Sequence, residues 1–252
     1  MQSSIEIIGV HGLPEVREGH DLAYLTHAAC GAQGTKLEAG DIIVMAQKIV
    51  SKSEGAVVDL KTIKPSTRAV RLAQEVNKDP RLVEVILGQT AQIIRTAPGV
   101  LITETIHGLV CANAGVDSSN SVYNDQAITL PVDPDHSARS LFEALSELTG
   151  VRTPIIVSDS FGRPWREGST NIAIGVAGIE PLQDSRGEVD DHGRKLKATV
   201  VAIADELAAA AQLVMGEFGR VPVAIVRGFY GRESELLGAK ALQRNPKTDL
   251  FR

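Results

Sequence analysis

The 252-residue sequence predicts an α+β fold of mixed sheets with packed helices, and three observations carry that prediction. Apolar runs of strand length occur at 5–10, 41–46, 154–157 and 221–227. Stretches with helical spacing and cap signals lie between several of them. The two kinds do not alternate regularly, so a doubly wound parallel sheet is not supported. No compositional break divides the chain, and residues 1–252 read as one domain.

In order, residues 5–10 form a strand and Gly12-Leu13-Pro14-Glu15 a loop. Residues 21–29 read as a helix with Leu22 and Leu25 on one face. Residues 41–46 are a strand entered through the turn at Gly40-Asp41. The segment after it carries Gln47, Lys48, Ser51, Lys52 and Ser53 before Gly55, and reads as an anion-binding loop. Residues 65–76 form a helix with Ser66 as N-cap. Asp79-Pro80 opens another through Leu87, with Asp at the N-cap and Pro at the first helical position. Leu82, Val83, Val85 and Ile86 bury it.

Residues 92–95 and 100–104 pair as strands around the Ala97-Pro98-Gly99 turn. Asp133-Pro134-Asp135 opens a helix over 137–148. Residues 171–176 are strand-like, 187–195 polar and loop-like, and 196–203 alternate into a strand. A helix over 205–215 ends at Met215-Gly216, where glycine suits the cap. Its small residues at 208–211 give a smooth face that another backbone could approach. Residues 221–227 are a final buried strand, and beyond Gly228 the chain is charged and weakly patterned.

Hydrophobic residues make up 43% of the chain and charged ones 23%, enough apolar material for a substantial core. A net charge of −5 offers no basic field to recruit nucleic acid. The two cysteines, Cys30 and Cys111, form no CxxC pair, which argues against a zinc site or disulfide framework and fits a reducing cytoplasm. No apolar run is long enough to span a bilayer. The expectation is a cytoplasmic protein without nucleic-acid or membrane partners.

The chemistry concentrates in Ser158-Asp159-Ser160-Phe161-Gly162-Arg163-Pro164-Trp165-Arg166-Glu167-Gly168. An apolar strand breaks there into an acid, two hydroxyls, two arginines and two glycines. Carboxylate and hydroxyl oxygens suit a hard cation, and arginine forks suit phosphate or carboxylate. A second stretch follows Gly108-Leu109-Val110 and reaches Asp117 among Asn and Ser. Asp117 alone reads as a turn residue. The pairing of two such strand-end acids raises the reading of a shared metal site. His107, just before this stretch, is more often a structural residue and stays outside the set. There is no P-loop, no GxGxxG and no GxSxG. Acids, hydroxyls, lysines and arginines on several loops suit metal-assisted phosphoryl transfer.

A set of motifs in this order resembles the coenzyme F420:L-glutamate ligase family. They are Gly12-Leu13-Pro14-Glu15 with Glu18-Gly19, Lys48-Ile49-Val50-Ser51-Lys52-Ser53-Glu54-Gly55 and Asn113-Ala114-Gly115-Val116-Asp117-Ser118-Ser119-Asn120. Then come Leu130-Pro131-Val132-Asp133-Pro134-Asp135, the Asp159 to Gly168 run, Ala204-Asp205-Glu206-Leu207 with Met215-Gly216, and Pro222-Val223-Ala224-Ile225-Val226-Arg227-Gly228. The resemblance implies an intertwined homodimer of gamma-glutamyl ligase domains. Some relatives continue into a flavin-binding domain; this chain stops at Arg252, so the ligase part alone is expected.

The resemblance implies that GTP phosphorylates a carboxylate of coenzyme F420-0 and that the amine of L-glutamate attacks the acyl phosphate, with further gamma-linked glutamates to follow. It implies Mg²⁺ or Mn²⁺ at two sites held by Asp117, Asp159 and Ser160, the last a hydroxyl often replaced by Thr, with K⁺ as a further cation. It places Leu13, Pro14, Glu15, Val16, Gln47, Lys48, Lys52 and Asn120 against the nucleotide. Leu213, Val214, Met215, Gly216, Glu217, Phe218, Gly219 and Arg220 join them. Arg163 and Arg166 are assigned, on chemistry, to phosphate or acidic-substrate binding beside the catalytic Asp159. Two other activities would use the same residue types: a metal-dependent phosphohydrolase, and a non-catalytic nucleotide- or deazaflavin-binding regulator. The acid pair weighs against the second.

Overall fold

The computed structural model describes residues 4–118, 125–234 and 236–250. The chain opens with β1 (Glu6–Val10), α1 (Leu22–Ala32), β2 (Ile42–Ala46) and α2 (Gln47–Ser53). It continues through β3 (Val57–Asp59), α3 (Thr67–Val76), α4 (Pro80–Gly88), β4 (Thr90–Ala97), β5 (Val100–Thr105), β6 (Val110–Ala112) and β7 (Gln126–Ile128). Then follow α5 (Pro134–Thr149), β8 (Ile155–Arg163), β9 (Arg166–Ala177), β10 (Gln183–Asp184), β11 (Val200–Val201), α6 (Ile203–Met215) and β12 (Val223–Arg227). The architecture is α+β.

Helix starts fall where side-chain oxygens can satisfy the first free N–H groups. Asp21 accepts from Tyr24 N at 2.9 Å, Ser66 from Ala69 N at 3.2 Å, Asp79 from Arg81 N at 2.8 Å and Asp133 from His136 N at 3.0 Å. Pro80 and Pro134 follow two of these caps, where a missing N–H is harmless.

A five-stranded sheet of order β1-β12-β2-β8-β9 forms the centre. β2 and β8 pair in parallel; the other neighbours are antiparallel. Alternate residues serve opposite faces. Ile43, Met45, Ile155 and Val157 join the core under α1 and α5, while Ile42, Val44, Ile156 and Val226 join the core under α6. A third core packs α3 and α4 on β5 through Ala69, Leu72, Val83, Ile86 and Leu101.

Four sequence readings need correction. The segment after β2 is the seven-residue helix α2, because Ile49, Val50 and Ser51 turn inward and Lys48 and Lys52 leave on one side, one turn apart. β8 does not break at Asp159 but pairs with β9 to Arg163, with Asp159 opposite Ile172 and Arg163 opposite Arg166. Asp117 does not end a strand; it follows a tight turn at Asn113–Gly115 and exchanges both backbone hydrogen bonds with Ile128, at 2.9 and 2.7 Å. The strand expected over 196–203 shrinks to β11, since α6 already begins at Ile203 with Asp205 and Glu206 in its favourable first turn.

Ala204, Ala208 and Ala211 face the sheet of their own chain, and β12 lies between β1 and β2. The small-residue face that the sequence offered to another backbone thus packs within its own chain. After β12 the chain returns as a strap: Arg232 O accepts from Glu180 N at 2.8 Å, Asp135 accepts from Ala239 N at 2.7 Å, and Gln243 donates to His107 O at 2.9 Å.

Candidate active site

Strand direction assembles the site. β12 is antiparallel to both β1 and β2, and β2 is parallel to β8, so β1, β2 and β8 run the same way. One row of paired residues, Val10, Val223, Met45 and Val157, marks where they leave the sheet. Beyond that row lie the 11–16 loop, α2 and the outer half of β8. The segment 216–220, between α6 and β12, reaches the same edge.

Asp159 sits two residues beyond Val157 and two before Phe161, both of which are in the core under α1 and α5. Burial pushes its carboxyl up to about 6; the Ser160 backbone N–H and Lys48 pull it down, while Asp117 and Glu217 raise it further. Lys48 Nζ meets Asp117 Oδ2 at 2.5 Å. The structure therefore brings Lys48, Asp117, Asp159 and Glu217 into one electrostatic neighbourhood. Cys111 belongs to it too: burial, and then the charge of Asp159, push its thiol up to about 12.

One turn along α2, Lys52 Nζ meets Glu15 Oε1 at 2.6 Å. That hydrogen bond, helped by the charges of Lys52, Arg220 and Arg17, holds the Glu15 carboxyl below its ordinary range despite partial burial. Leu13 and Pro14 lie on the same loop, whereas Val16 is buried in the core at 5% exposure and can offer only backbone. Gln47 is buried as well, its amide donating to Ser51 Oγ at 2.7 Å and Thr129 O at 3.1 Å. Met215 packs under the sheet, while Leu213 and Phe218 are exposed, with Val214 at the margin. Gly216, Glu217, Gly219 and Arg220 complete the exposed segment. Asn120 lies outside the described residues.

Ser160 turns away from this cluster. Its hydroxyl donates to Asn171 Oδ1 at 2.7 Å, Asn171 N donates to Gln212 Oε1 at 2.9 Å, and Gln212 Nε2 donates to Glu217 Oε1 at 3.2 Å. Ser160 is linked to the cluster by that chain, not by direct approach. Arg163 and Arg166 sit at the exposed tip of the β8–β9 hairpin, and Arg163 donates to Glu167 O at 3.0 Å. At about 3.3 Å per strand residue they stand roughly 13 Å or more from Asp159. The structure does not gather them with the acids of the same chain. The Asn171–Gln212 link, absent from the sequence reading, could have been found only by knowing that β9 and α6 pack together.

Among the described residues no three His, Cys, Asp or Glu side chains already form a metal cage. The donor set nonetheless fits a hard cation. Two carboxylates and Glu217 share a partly desolvated space, Asp159 resists ionisation there, and an ammonium is seated on Asp117. Added positive charge would favour the ionised acids, and carboxylate oxygens suit magnesium or manganese.

A family model described as F420-0:Gamma-glutamyl ligase matches residues 12–228. The chain is similar to a Coenzyme F420:L-glutamate ligase of Methanothermobacter thermautotrophicus, at 49% identity over 250 residues, covering 98% of this chain and 99% of that one. It is 46% identical over 242 residues to the protein of the same name from Methanopyrus kandleri, covering 94% of each. With that of Methanocaldococcus jannaschii it shares 51% over 193 residues, covering 76% of this chain and 77% of the other.

Proposed function

The chain belongs to the F420-0:gamma-glutamyl ligase family, and from that membership we propose that it joins L-glutamate to coenzyme F420-0 at the expense of GTP. It is a ligase, forming an amide between an acid and an amino acid. The observation that carries the finer reading is the convergence of Asp117, Asp159, Lys48 and the Glu15–Lys52 pair at one sheet edge.

A carboxylate oxygen of F420-0 attacks the γ-phosphorus of GTP, the bond to the bridging oxygen breaks, and GDP leaves with that electron pair. The α-amine of L-glutamate then attacks the acyl carbon, loses a proton and expels phosphate. Lys48 and Lys52 neutralise phosphate charge, and both can exchange their carboxylate partners for phosphate oxygens. The 11–16 loop and the exposed 216–220 segment flank the nucleotide. Divalent ions held by Asp117 and Asp159 would supply charge neutralisation as the phosphoryl group moves, with Ser160 supporting the edge indirectly through Asn171, Gln212 and Glu217. Mg²⁺ or Mn²⁺ suits these oxygens, and K⁺ can serve as an additional counter-ion.

The same product can re-enter, adding further gamma-linked glutamates. The protein acts as a homodimer: Trp165 on the projecting hairpin is 83% exposed and Phe218 97% exposed, large apolar surfaces on the side of the molecule that carries the site. No described helix is long and apolar enough to cross a membrane, which is compatible with work in the cytoplasm.

The test is mass spectrometry of F420-0 incubated with the protein, GTP, Mg²⁺ or Mn²⁺ and L-glutamate. Mass gain in whole glutamyl units with matching GDP release is the expected result. GDP release that does not depend on glutamate, with no mass gain, sinks the ligase reading in favour of a phosphohydrolase.

A further inference from the structure

The tip of the β8–β9 hairpin carries a residue that its turn does not call for. Arg163 and Arg166 are paired across the hairpin, so Pro164 and Trp165 form a two-residue turn. The proline ring fixes a negative φ at the first position, which excludes the primed turns that hairpins favour. Trp165 follows at φ +60, where a type II turn calls for glycine. A bulky side chain in the left-handed region is strained, and such strain gathers at working sites. Trp165 is the single tryptophan of the chain and is 83% exposed. Neither turn geometry nor burial accounts for its place.

The surroundings suit a flat ligand. Gly162 and Gly168 leave both strands bare beside the tip, and a Cβ at either would meet nothing within 4 Å. A planar ring can therefore come close to the backbone there. An indole stacks on such a ring. The arginines on each side of it, both exposed, offer planar forks to carbonyl oxygens and anions. Arg163 keeps donors beyond the one it gives to Glu167 O.

Distance ties the tip to the acids. It stands roughly 13 Å or more from Asp159 along β8. Coenzyme F420-0 is a deazaflavin ring whose reacting carboxylate ends an arm made of a sugar alcohol, a phosphodiester and a lactyl unit. About ten bonds separate the ring from that carboxyl carbon, and at about 1.2 Å of extended length per bond they reach about 12 Å. We propose that the hairpin tip seats the ring of the coenzyme. Trp165 stacks on the deazaflavin, Arg163 and Arg166 hold its carbonyl oxygens, and the arm runs back along β8 to bring the carboxylate to Asp159. The two arginines thus serve the substrate without approaching the acids. The proposal rests on the ligase reading above.

The test is steady-state kinetics of Trp165→Gly and Trp165→Phe, with thermal melting beside it. Glycine is the residue this turn prefers, so Trp165→Gly should melt at or above wild type. Its KM for F420-0 should rise about ten-fold or more as one stacking contact is lost, leaving KM for GTP and for L-glutamate within about two-fold and kcat largely intact. Trp165→Phe keeps a ring and should restore most of the affinity. A merely structural residue would instead lower the melting point and leave KM for F420-0 alone. Unchanged KM for F420-0 in Trp165→Gly overturns the proposal, and so does an equal rise in KM for GTP. Trp165 also offers apolar surface to a second copy, so light scattering completes the set: a variant that falls from dimer to monomer makes the residue interface surface and rejects the assignment. If wild-type protein does not extend F420-0, the ligase reading fails by itself. Calorimetric titration with F420-0 then reads the tip directly: heat lost in Trp165→Gly supports the assignment, while equal heat in both, or no binding to wild type, rejects it.

Discussion

At the scale of the residue, Asp159 holds its proton more tightly in the folded chain than in the unfolded one, at about 6 against 3.8. Its contribution to stability is complete below pH 4 and is lost as pH rises through 6. The shift corresponds to something on the order of 2–3 kcal/mol. Without metal, Asp159→Asn should therefore melt above wild type at pH 7, with the difference fading toward pH 4. Paired melting curves over that range check it; a variant that melts lower at pH 7 removes the picture of a charge held against its preference. With Mn²⁺ and GTP the order should reverse, because the variant has lost a ligand. Lys52→Ala should weaken GTP binding about ten- to a hundred-fold while the fold stays intact, since Lys52 sits near the surface. Unchanged affinity by titration calorimetry would return Lys52 to a purely structural pairing with Glu15.

Elsewhere the charges are architectural. Asp41, 1% exposed, takes a two-pronged contact from Arg227 at 2.8 Å on each side and also accepts from Glu38 N. Removing one partner leaves a buried charge alone, at about 3–5 kcal/mol. Arg227→Met should show that loss in urea unfolding, and the double change Asp41→Leu, Arg227→Met should recover much of it.

At the scale of the element, the sequence disclosed what local chemistry determines. Cap residues at Ser66 and Asp79 located two helices because a carboxylate or hydroxyl before an apolar repeat has one common use, Asp133-Pro134-Asp135 announced a third, and the apolar face of Leu22 and Leu25 announced the helix that Asp21 caps. α2 stayed hidden: it is seven residues long, uncapped by any side chain, and only packing against the core makes it a helix. The outer half of β8 stayed hidden because both its faces carry polar groups, so no alternation marks it. That error had a consequence for the site. Neighbours on a strand point to opposite faces, so recognising the strand would have separated Asp159 from Ser160 at once. The pairing of Lys48 with Asp117 is tertiary and left no local trace. The turn that delivers Asp117 is itself testable. Gly115 has φ +70, and a Cβ there would lie 2.7 Å from Leu130, which is 2% exposed. Gly115→Ala should cost about 1–3 kcal/mol in chemical denaturation and depress ligation further by shifting Asp117.

At the scale of the whole molecule, sheet order was illegible, since no run of residues announces which strand will lie beside it. What that order implies concerns the birth of the protein. β1 bonds only to β12, and β12 alone joins β1 to β2. During synthesis the first strand leaves the ribosome with no partner and waits until almost the entire chain has been made. Once β8 and β9 are made, the nascent protein must carry an unclosed sheet with the β2 edge exposed until β12 emerges, the condition in which chains stick to one another. Closure is a contact between the two ends of the sequence, which makes for slow folding. A chain released before Val223 should be insoluble or bound to chaperones. One released after the strap should be soluble, and the change between them should be abrupt.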